Sequence, residues 1–533
     1  MIDIKQMREY FRPPLEYPEI PYHVLLKETA RRYPEKDAIV FKGQRVSFRE
    51  LDALSNCFAN GLKDLGVQVG DRIALYMTNR PEYVISFYAA AKIGAVITPM
   101  NPSYKEHEVE HQAKDSEAKV LVTTQALYGI AKAATTALPN VRIIVIGDAA
   151  PEGSHLFRDL LKKHPARAPE LPPIRLAEDL LALPYSSGTT GLPKGVMLSH
   201  RNLVVNNIQC LSAGKITQQD VLLIFLPFYH IYGTMLMGVS VAAGATMVIM
   251  EGFNLEESLW SVEEYGVTLY YAVPPILLAL TQYPDIQKRK LSSVRYIMVG
   301  AAPVPPEVAR RVKDLTGIHV VQGYGLTEAS PLTHLNPMDP RLAKIDSAGF
   351  GVSDQVLKIV DVVTGEKELP AGEVGEIIVS GPHVMKGYWK AAEETARTIR
   401  NGWLFTGDIG RLDEEGYLYI VDRKKEMIKY KGFGVAPAEI EAALFEHPAV
   451  GDCAVFAKAD PEAGEIPKGV VVLKPGRTAT AEELIDFVGQ RLAGYKKVRE
   501  IEFVSEIPKN PSGKILRRML IERERAKHQA SAG

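Results

Sequence analysis

At 533 residues the chain exceeds the size at which one hydrophobic core keeps growing, so two or more packed units are expected. Hydrophobic content of 46% and charged content of 24% are those of a soluble globular chain, with disorder expected only at the ends. A formal net charge of -1 supplies no global basic field for nucleic acid, so no nucleic-acid partner is expected. Cys57, Cys210 and Cys453 show neither CxxC spacing nor a His/Cys set of metal-ligand type, which fits a reducing, cytoplasmic compartment. The opening MIDIKQMREYFRPPLEYP carries charges and prolines where a signal peptide needs an apolar core.

Ser47 and Glu50 form a capping box ahead of Leu51, Leu54, Phe58, Leu62 and Leu65, and Gly66 follows as a stop. DRIALYM then reads as a strand, RPEYVISFYAAAKIGA as a helix and VITPMN as a strand, and KVLVTT and RIIVIG repeat the strand pattern. This alternation predicts α/β layers with largely parallel sheet. Val221 to Met250 lacks charge and is long enough to span a membrane, but Pro227, His230, Gly233, Gly238 and Gly244 divide it into strand, loop, helix (Thr234 to Ala243) and strand. No transmembrane segment is expected. VRYIMVG continues the alternation.

After about Gly365 short β-rich runs, GEIIVSG and GYLYIVD, predict a small β-rich subdomain. From Pro437 the order helix (PAEIEAALFEH), strand (CAVFAKA), strand (GVVVLK), helix (AEELIDFVGQRLA) describes a compact α+β unit. Two domains are therefore expected, residues 1–421 and 422–533, with the charged DRKKE segment, residues 422–426, as the hinge.

The segment Tyr185 to Gly195, YSSGTTGLPKG, carries the strongest chemical signal. Glycines let backbone N–H groups approach phosphate oxygens, Ser186, Ser187, Thr189 and Thr190 add hydroxyl donors, and Lys194 adds a mobile charge. The GK[ST] ending of a Walker loop is missing, and composition alone would favour a solvated turn.

The segment resembles the phosphate-loop signature of the adenylate-forming superfamily, which holds acyl-CoA synthetases, aryl-CoA ligases, peptide-synthetase adenylation domains and beetle luciferases. The resemblance continues through Tyr324-Gly-Leu-Thr-Glu328, Thr406-Gly-Asp408, Asp422-Arg423-Lys424-Lys425, Lys429-Tyr-Lys-Gly432 and Lys509-Asn-Pro-Ser-Gly-Lys514, in the family's order. It implies a large N-terminal domain of layered α/β sheets and a mobile α+β C-terminal domain. It also implies an activity: ATP and an acid form an acyl-adenylate and pyrophosphate, and coenzyme A then takes the acyl group.

The resemblance assigns the residues. ATP and AMP are expected at Ser186, Ser187, Gly188, Thr189, Thr190, Gly191, Lys194, Ala301, Ala302, Pro303, Gly323, Tyr324, Gly325, Asp408, Arg423 and Lys514. Thr327 is expected on phosphate and Glu328 on Mg2+, a hard cation that carboxylate and phosphate oxygens suit. Asp408 is the expected ribose acceptor, and Lys514 the lysine that bridges carboxylate and α-phosphate. His230 resembles a gate residue beside the acyl carboxylate, although a histidine in an apolar segment is more often core. Tyr232, Met235, Leu236, Val299, Gly300, Gly323 and Gly325 are the expected acyl pocket. Lys429, Lys431, Gly432 and Phe433 form the expected CoA face, Lys425 the hinge residue. Gly434 stands where many relatives carry glutamine.

The TEASPLTHLNP run, residues 327–337, resembles fatty acyl-CoA synthetases, so a medium- or long-chain fatty acid is the expected substrate and lipid metabolism the expected setting. The alternatives are an aryl-CoA ligase of 4-coumarate or benzoate type, and an enzyme loading a separate carrier protein. Transient membrane-surface contact and a monomeric or homodimeric state both remain open to such a chain.

Overall fold

The structure is a computed structural model describing residues 12–170, 173–186, 193–302, 304–431, 433–460, 462–510 and 513–532. Ser187, Gly188, Thr189, Thr190, Gly191, Pro303 and Gly432 lie outside the described residues, as does the side chain of Phe433.

The strand and helix alternation produces two large sheets. One has the order Leu198–Ser199, Leu180–Ala182, Val96–Met100, Arg72–Tyr76, Ala118–Thr124, Arg142–Ile146, Ser154–Leu156. The other runs Phe350–Gly351, Leu332–Leu335, Val320–Gly325, Tyr296–Val299, Leu269–Ala272, Val221–Ile224, Thr246–Ile249, Asp37–Phe41, Gln44–Ser47. Their central pairs are parallel and antiparallel pairs lie at the edges. Strands covered on both faces read as continuous apolar runs. Val96–Met100, Leu269–Ala272 and Tyr296–Val299 accordingly bury every residue.

The capping box is present: the Glu50 carboxylate accepts the Ser47 N–H at 2.8 Å, the Ser47 hydroxyl accepts the Glu50 N–H, and helix Phe48–Asp64 follows. Such a cap contributes about 1 kcal/mol. The uncharged run divides into strand Val221–Ile224, helix Ile231–Ala243 and strand Thr246–Ile249. Its helix begins before Thr234 because the His230 ring caps it, Nδ1 accepting the Tyr232 N–H at 3.2 Å. Among the described residues no helix is long and apolar enough to cross a membrane.

A third, antiparallel sheet joins Val356–Val360, Gly375–Ser380, Trp403–Leu412, Ile399–Arg400 and Leu418–Arg423. The fourth, with Ile428–Tyr430, Gly464–Leu473, Val450–Asp460 and Glu500–Phe503, packs on helices Pro437–Phe445 and Ala481–Gly489. Hydrophobic packing divides accordingly: one core runs from Tyr22 to Leu418, and another from Ile428 to Val498.

Two elements differ from the sequence reading. The AEELIDFVGQRLA helix ends at Gly489, short of its last apolar residues. The C-terminal end is helical over Arg517–Ala532, where disorder was expected. That helix is held by charge as well as by Leu520: buried Lys468 meets Glu524 at 2.7 Å, and Glu524 is itself only 8% exposed. Ion pairs leave no apolar stripe in a sequence.

Candidate active site

Strands Trp403–Leu412 and Leu418–Arg423 pair antiparallel, with Asp408 directly opposite Arg423. The buried Asp408 carboxylate is held on both oxygens: Oδ1 meets Arg423 Nε at 3.0 Å, and Oδ2 accepts the Tyr324 hydroxyl at 2.6 Å. Tyr324 comes from Val320–Gly325 of the nine-stranded sheet, so the adjoining subdomain and the main sheet meet at this carboxylate. Burial, then the Asp408 charge, pushes the Tyr324 phenol well above its ordinary value, and it stays a neutral donor.

Lys514 reaches the same place from the C-terminal unit. Its turn is tied by Lys514 N–H to Asn510 Oδ1 at 2.8 Å and Asn510 N–H to Lys514 O at 2.9 Å. Gly513 there has φ +78, and a Cβ on it would lie 2.9 Å from Pro275 Cδ and 3.1 Å from Val273 Cγ2. The turn is therefore seated on the large domain beside Val273, and only glycine suits both its backbone and its approach. Burial lowers the Lys514 ammonium to about 8, Arg423 and Lys425 push it in the same direction, and Glu426 and Asp408 oppose them. Lys425 is lowered for the same reasons, burial first and Arg423 second. His230, partly buried, is lowered to about 4 by desolvation and then by the Lys514 charge. It is neutral at pH 7, and with Nδ1 accepting from Tyr232 its proton sits on Nε2.

The two-stranded hairpin of residues 185–186 and 194–195 pairs Ser186 with Lys194. Lys194 Nζ meets Glu394 at 2.8 Å and lies 5.7 Å from the centre of the Tyr388 ring, whose hydroxyl donates to Glu328 Oε1 at 2.9 Å. Thr327 and Glu328 sit in the short helix Thr327–Ala329, and the Glu328 carbonyl accepts from Met385 N–H at 2.8 Å. Tyr388, Trp389 and Glu394 escaped the sequence reading; the only signal was the aromatic GYWK run, residues 387–390. Trp389 fixes the hairpin, its N–H bonding Gly195 O at 2.8 Å and its Nε1–H bonding Asp115 O at 3.0 Å. Among the described residues no three His, Cys, Asp or Glu side chains cluster as metal ligands. A single carboxylate at Glu328 fits Mg2+, which keeps several waters and takes its other ligands from substrate phosphates.

Ala301 has φ +71, a left-handed conformation rare for a residue with a Cβ, and is exposed next to Ala302. Gly300 precedes it, and a Cβ there would meet the Tyr232 ring at 3.3 Å. Tyr232, Met235, Leu236 and Val299 are buried. The Tyr232 hydroxyl donates to Met298 Sδ at 2.7 Å, and a Cβ on Gly323 would fall 2.3 Å from Met298 Cε. Gly325 is small for another reason, since its Cβ would strike the Pro331 carbonyl oxygen at 2.3 Å. Lys429 and Lys431 stay apart from the Asp408 cluster: both are exposed, the Lys429 N–H bonds Glu465 at 2.7 Å, and Lys431 pairs with Glu462 at 3.1 Å.

The structure thus gathers Arg423, Lys425 and Lys514 near Asp408 and Glu426; desolvation first, and then the neighbouring positive charge, depresses the two lysines, and an anion would relieve that charge.

Comparison with known proteins bears on the family. Residues 26–389 match the family model of the AMP-binding enzyme, and residues 439–514 that of the AMP-binding enzyme C-terminal domain. The chain is 37% identical to a long-chain-fatty-acid–CoA ligase of Bacillus subtilis (strain 168), over 96% of this chain and 98% of the relative. It is 40% identical to 4-coumarate–CoA ligase 2 of Nicotiana tabacum, over 97% and 98%. The structure of o-succinylbenzoate coenzyme A synthetase from Bacillus subtilis, in complex with ATP and magnesium ion, superposes with a TM-score of 0.81 at 31% identity, over 93% of this chain and 98% of that one. Family match, sequence relatives and fold agree along nearly the whole length, and the chain belongs to the AMP-binding enzyme family as an AMP-forming acid–CoA ligase.

Proposed function

We propose that the chain activates a fatty acid with Mg·ATP, releasing pyrophosphate, and then passes the acyl group from the adenylate to the thiol of coenzyme A, releasing AMP. The single observation that carries this reading is the seating of Lys514 against the large domain, with Arg423 and Asp408 among its charged neighbours and its ammonium depressed to about 8. Attack of a carboxylate on the α-phosphate brings anions together, and a fixed ammonium stabilises the charge that develops. Arg423 holds the nucleotide alongside Lys514, and Ser186 and Lys194 with the loop residues 187–191 hold the phosphates. Asp408 exchanges the Tyr324 hydroxyl for the ribose, and Tyr324 faces Ala301 and Ala302 across adenine. Glu328 and Thr327 hold Mg2+ and phosphate. Neutral His230 borders the acyl carboxylate without acting as a base.

The domains we assign are residues 1–421 and 422–533, hinged at Lys425, in a cytoplasmic enzyme. Rotation about the hinge withdraws Lys514 and brings Lys429, Lys431, Gly432 and Phe433 to the cleft for the thiol.

The fatty-acid reading is supported by residues 327–337 and by the 37% identical relative. A compact aryl acid is the second reading, supported by the 40% identical 4-coumarate–CoA ligase and by one structural observation. Behind Tyr232 the buried rings of Tyr271 and Tyr296 follow edge to face at 6.3 and 6.5 Å, and Tyr296 closes on Gly214 O at 3.0 Å. Three packed tyrosines shorten an acyl pocket running in that direction. ATP–pyrophosphate exchange with palmitate, octanoate, benzoate and 4-coumarate decides: strongest exchange with palmitate or octanoate is expected, and dominance of either aromatic acid transfers the assignment to the second reading.

A further inference from the structure

Arg517 opens the C-terminal helix three residues beyond Lys514, and all three nitrogens of its guanidinium are engaged in a largely buried place. Nη1 donates to Glu426 Oε2 at 2.7 Å, Nη2 to both oxygens of Glu441 at 2.7 and 2.9 Å, and Nε to the Val455 carbonyl at 2.9 Å. Glu441 lies on helix Pro437–Phe445 and also accepts the Val455 N–H at 2.7 Å. Glu426 belongs to the turn that follows Arg423, its own N–H bonded to Arg423 O at 2.8 Å. One guanidinium therefore ties the base of the Lys514 turn to the segment that carries Arg423.

We propose that Arg517 is a positioning residue for adenylation, fixing Lys514 relative to Arg423 and Asp408 through its fork to Glu426 and Glu441. The inference rests on the proposed role of Lys514. The planar fork matters more than the charge, because only bidentate geometry fixes direction as well as distance. An ordinary buried ion pair, there only to hold the small domain together, predicts something different: damage to both half-reactions in proportion to lost stability.

The test uses the full chain and two assays: ATP–pyrophosphate exchange with whichever of octanoate or 4-coumarate the unaltered protein takes, and thioester formation from the matching synthetic acyl-adenylate and CoA. Misplacing a catalytic group by about 1 Å costs on the order of 10²-fold, so Arg517→Gln is expected to lower kcat for exchange by about 10²-fold. Arg517→Lys keeps the charge without the fork and is expected to restore little. Glu426→Gln replaces the charge-assisted link to the turn with a weaker neutral hydrogen bond, keeps the Arg517–Glu441 pair, and is expected to lower exchange about tenfold with thioester formation within about threefold of the unaltered protein. Glu426→Gln decides alone if Arg517→Gln fails to fold. Parallel loss of both half-reactions, or Glu426→Gln exchanging at the original rate, overturns the proposal. Absence of exchange in the unaltered protein defeats the ligase reading itself, a result no variant mimics, and this proposal with it.

Discussion

Replacing Lys514 with methionine removes one ammonium and keeps the length of the side chain. Loss of a single preorganised electrostatic donor costs about 10²- to 10³-fold in kcat, roughly 3–4 kcal/mol, and we expect that loss in ATP–pyrophosphate exchange. The pH profile adds an independent signature. Burial, Arg423 and Lys425 lower the Lys514 ammonium to about 8, and the protonated form is the one that bridges anions. Exchange measured as kcat/KM for ATP should therefore fall as pH rises through about 8, because this parameter reports the free enzyme. The residual activity of Lys514→Met should lack that limb. The linkage sign separates this loss from unfolding. A lysine depressed on folding opposes the folded state while it is charged, so its contribution is favourable only above the unfolded value and is lost as pH falls through about 8. At pH 7 the methionine variant should accordingly melt at or above the temperature of the parent. A variant exchanging within threefold of the parent, or a parent profile flat from pH 7 to 9.5, would refute this role for Lys514.

Two further predictions concern the surroundings of the site. Asp422, buried with Oδ2 accepting the Ala438 N–H at 3.0 Å, is raised from 3.8 to about 6 by desolvation, with the Arg517 charge opposing the rise. A raised carboxyl contributes stability that is full below its unfolded value and lost as pH rises through about 6, here up to about 3 kcal/mol. Asp422→Asn should flatten the dependence of thermal stability between pH 4 and 7 and leave the pH 7 melting temperature at or above that of the parent; an unchanged slope contradicts the assignment. Gly323→Ala places a methyl 2.3 Å from Met298 Cε, so the Met298 side chain, which accepts the Tyr232 hydroxyl on Sδ, must shift. Overpacking of this kind costs about 1–3 kcal/mol, and KM for the acid should rise, as steady-state kinetics will read.

The fold was legible wherever a residue pattern repeats with the period of its element. The parallel strands appear as apolar runs because both faces are covered, and helix Phe48–Asp64 announces itself through Ser47, Glu50 and an apolar stripe. The C-terminal helix was not legible, because Lys468 and Glu524 hold it by ion pairing across 56 residues. The convergence of Asp408, Arg423 and Lys514 came from motif resemblance, since no periodicity brings residue 514 to residue 408. Local chemistry yielded the Lys194 loop but not its partners: Tyr388 and Glu394 carry no pattern of their own, and only the bridge between Val196 and Tyr388 and the helix Ala392–Thr398 bring them to Glu328 and Lys194. Gly323 and Gly325 looked alike in sequence, yet one is small against a methionine side chain and the other against a carbonyl oxygen.

The most direct test of the central claim is product analysis. Purified protein is incubated with Mg·ATP, CoA and the acid that supports the fastest exchange, and the nucleotides and thioesters are separated and quantified. The account predicts AMP, pyrophosphate and acyl-CoA in equal amounts, with the acyl-adenylate accumulating when CoA is withheld. ADP and phosphate in place of AMP and pyrophosphate would contradict it.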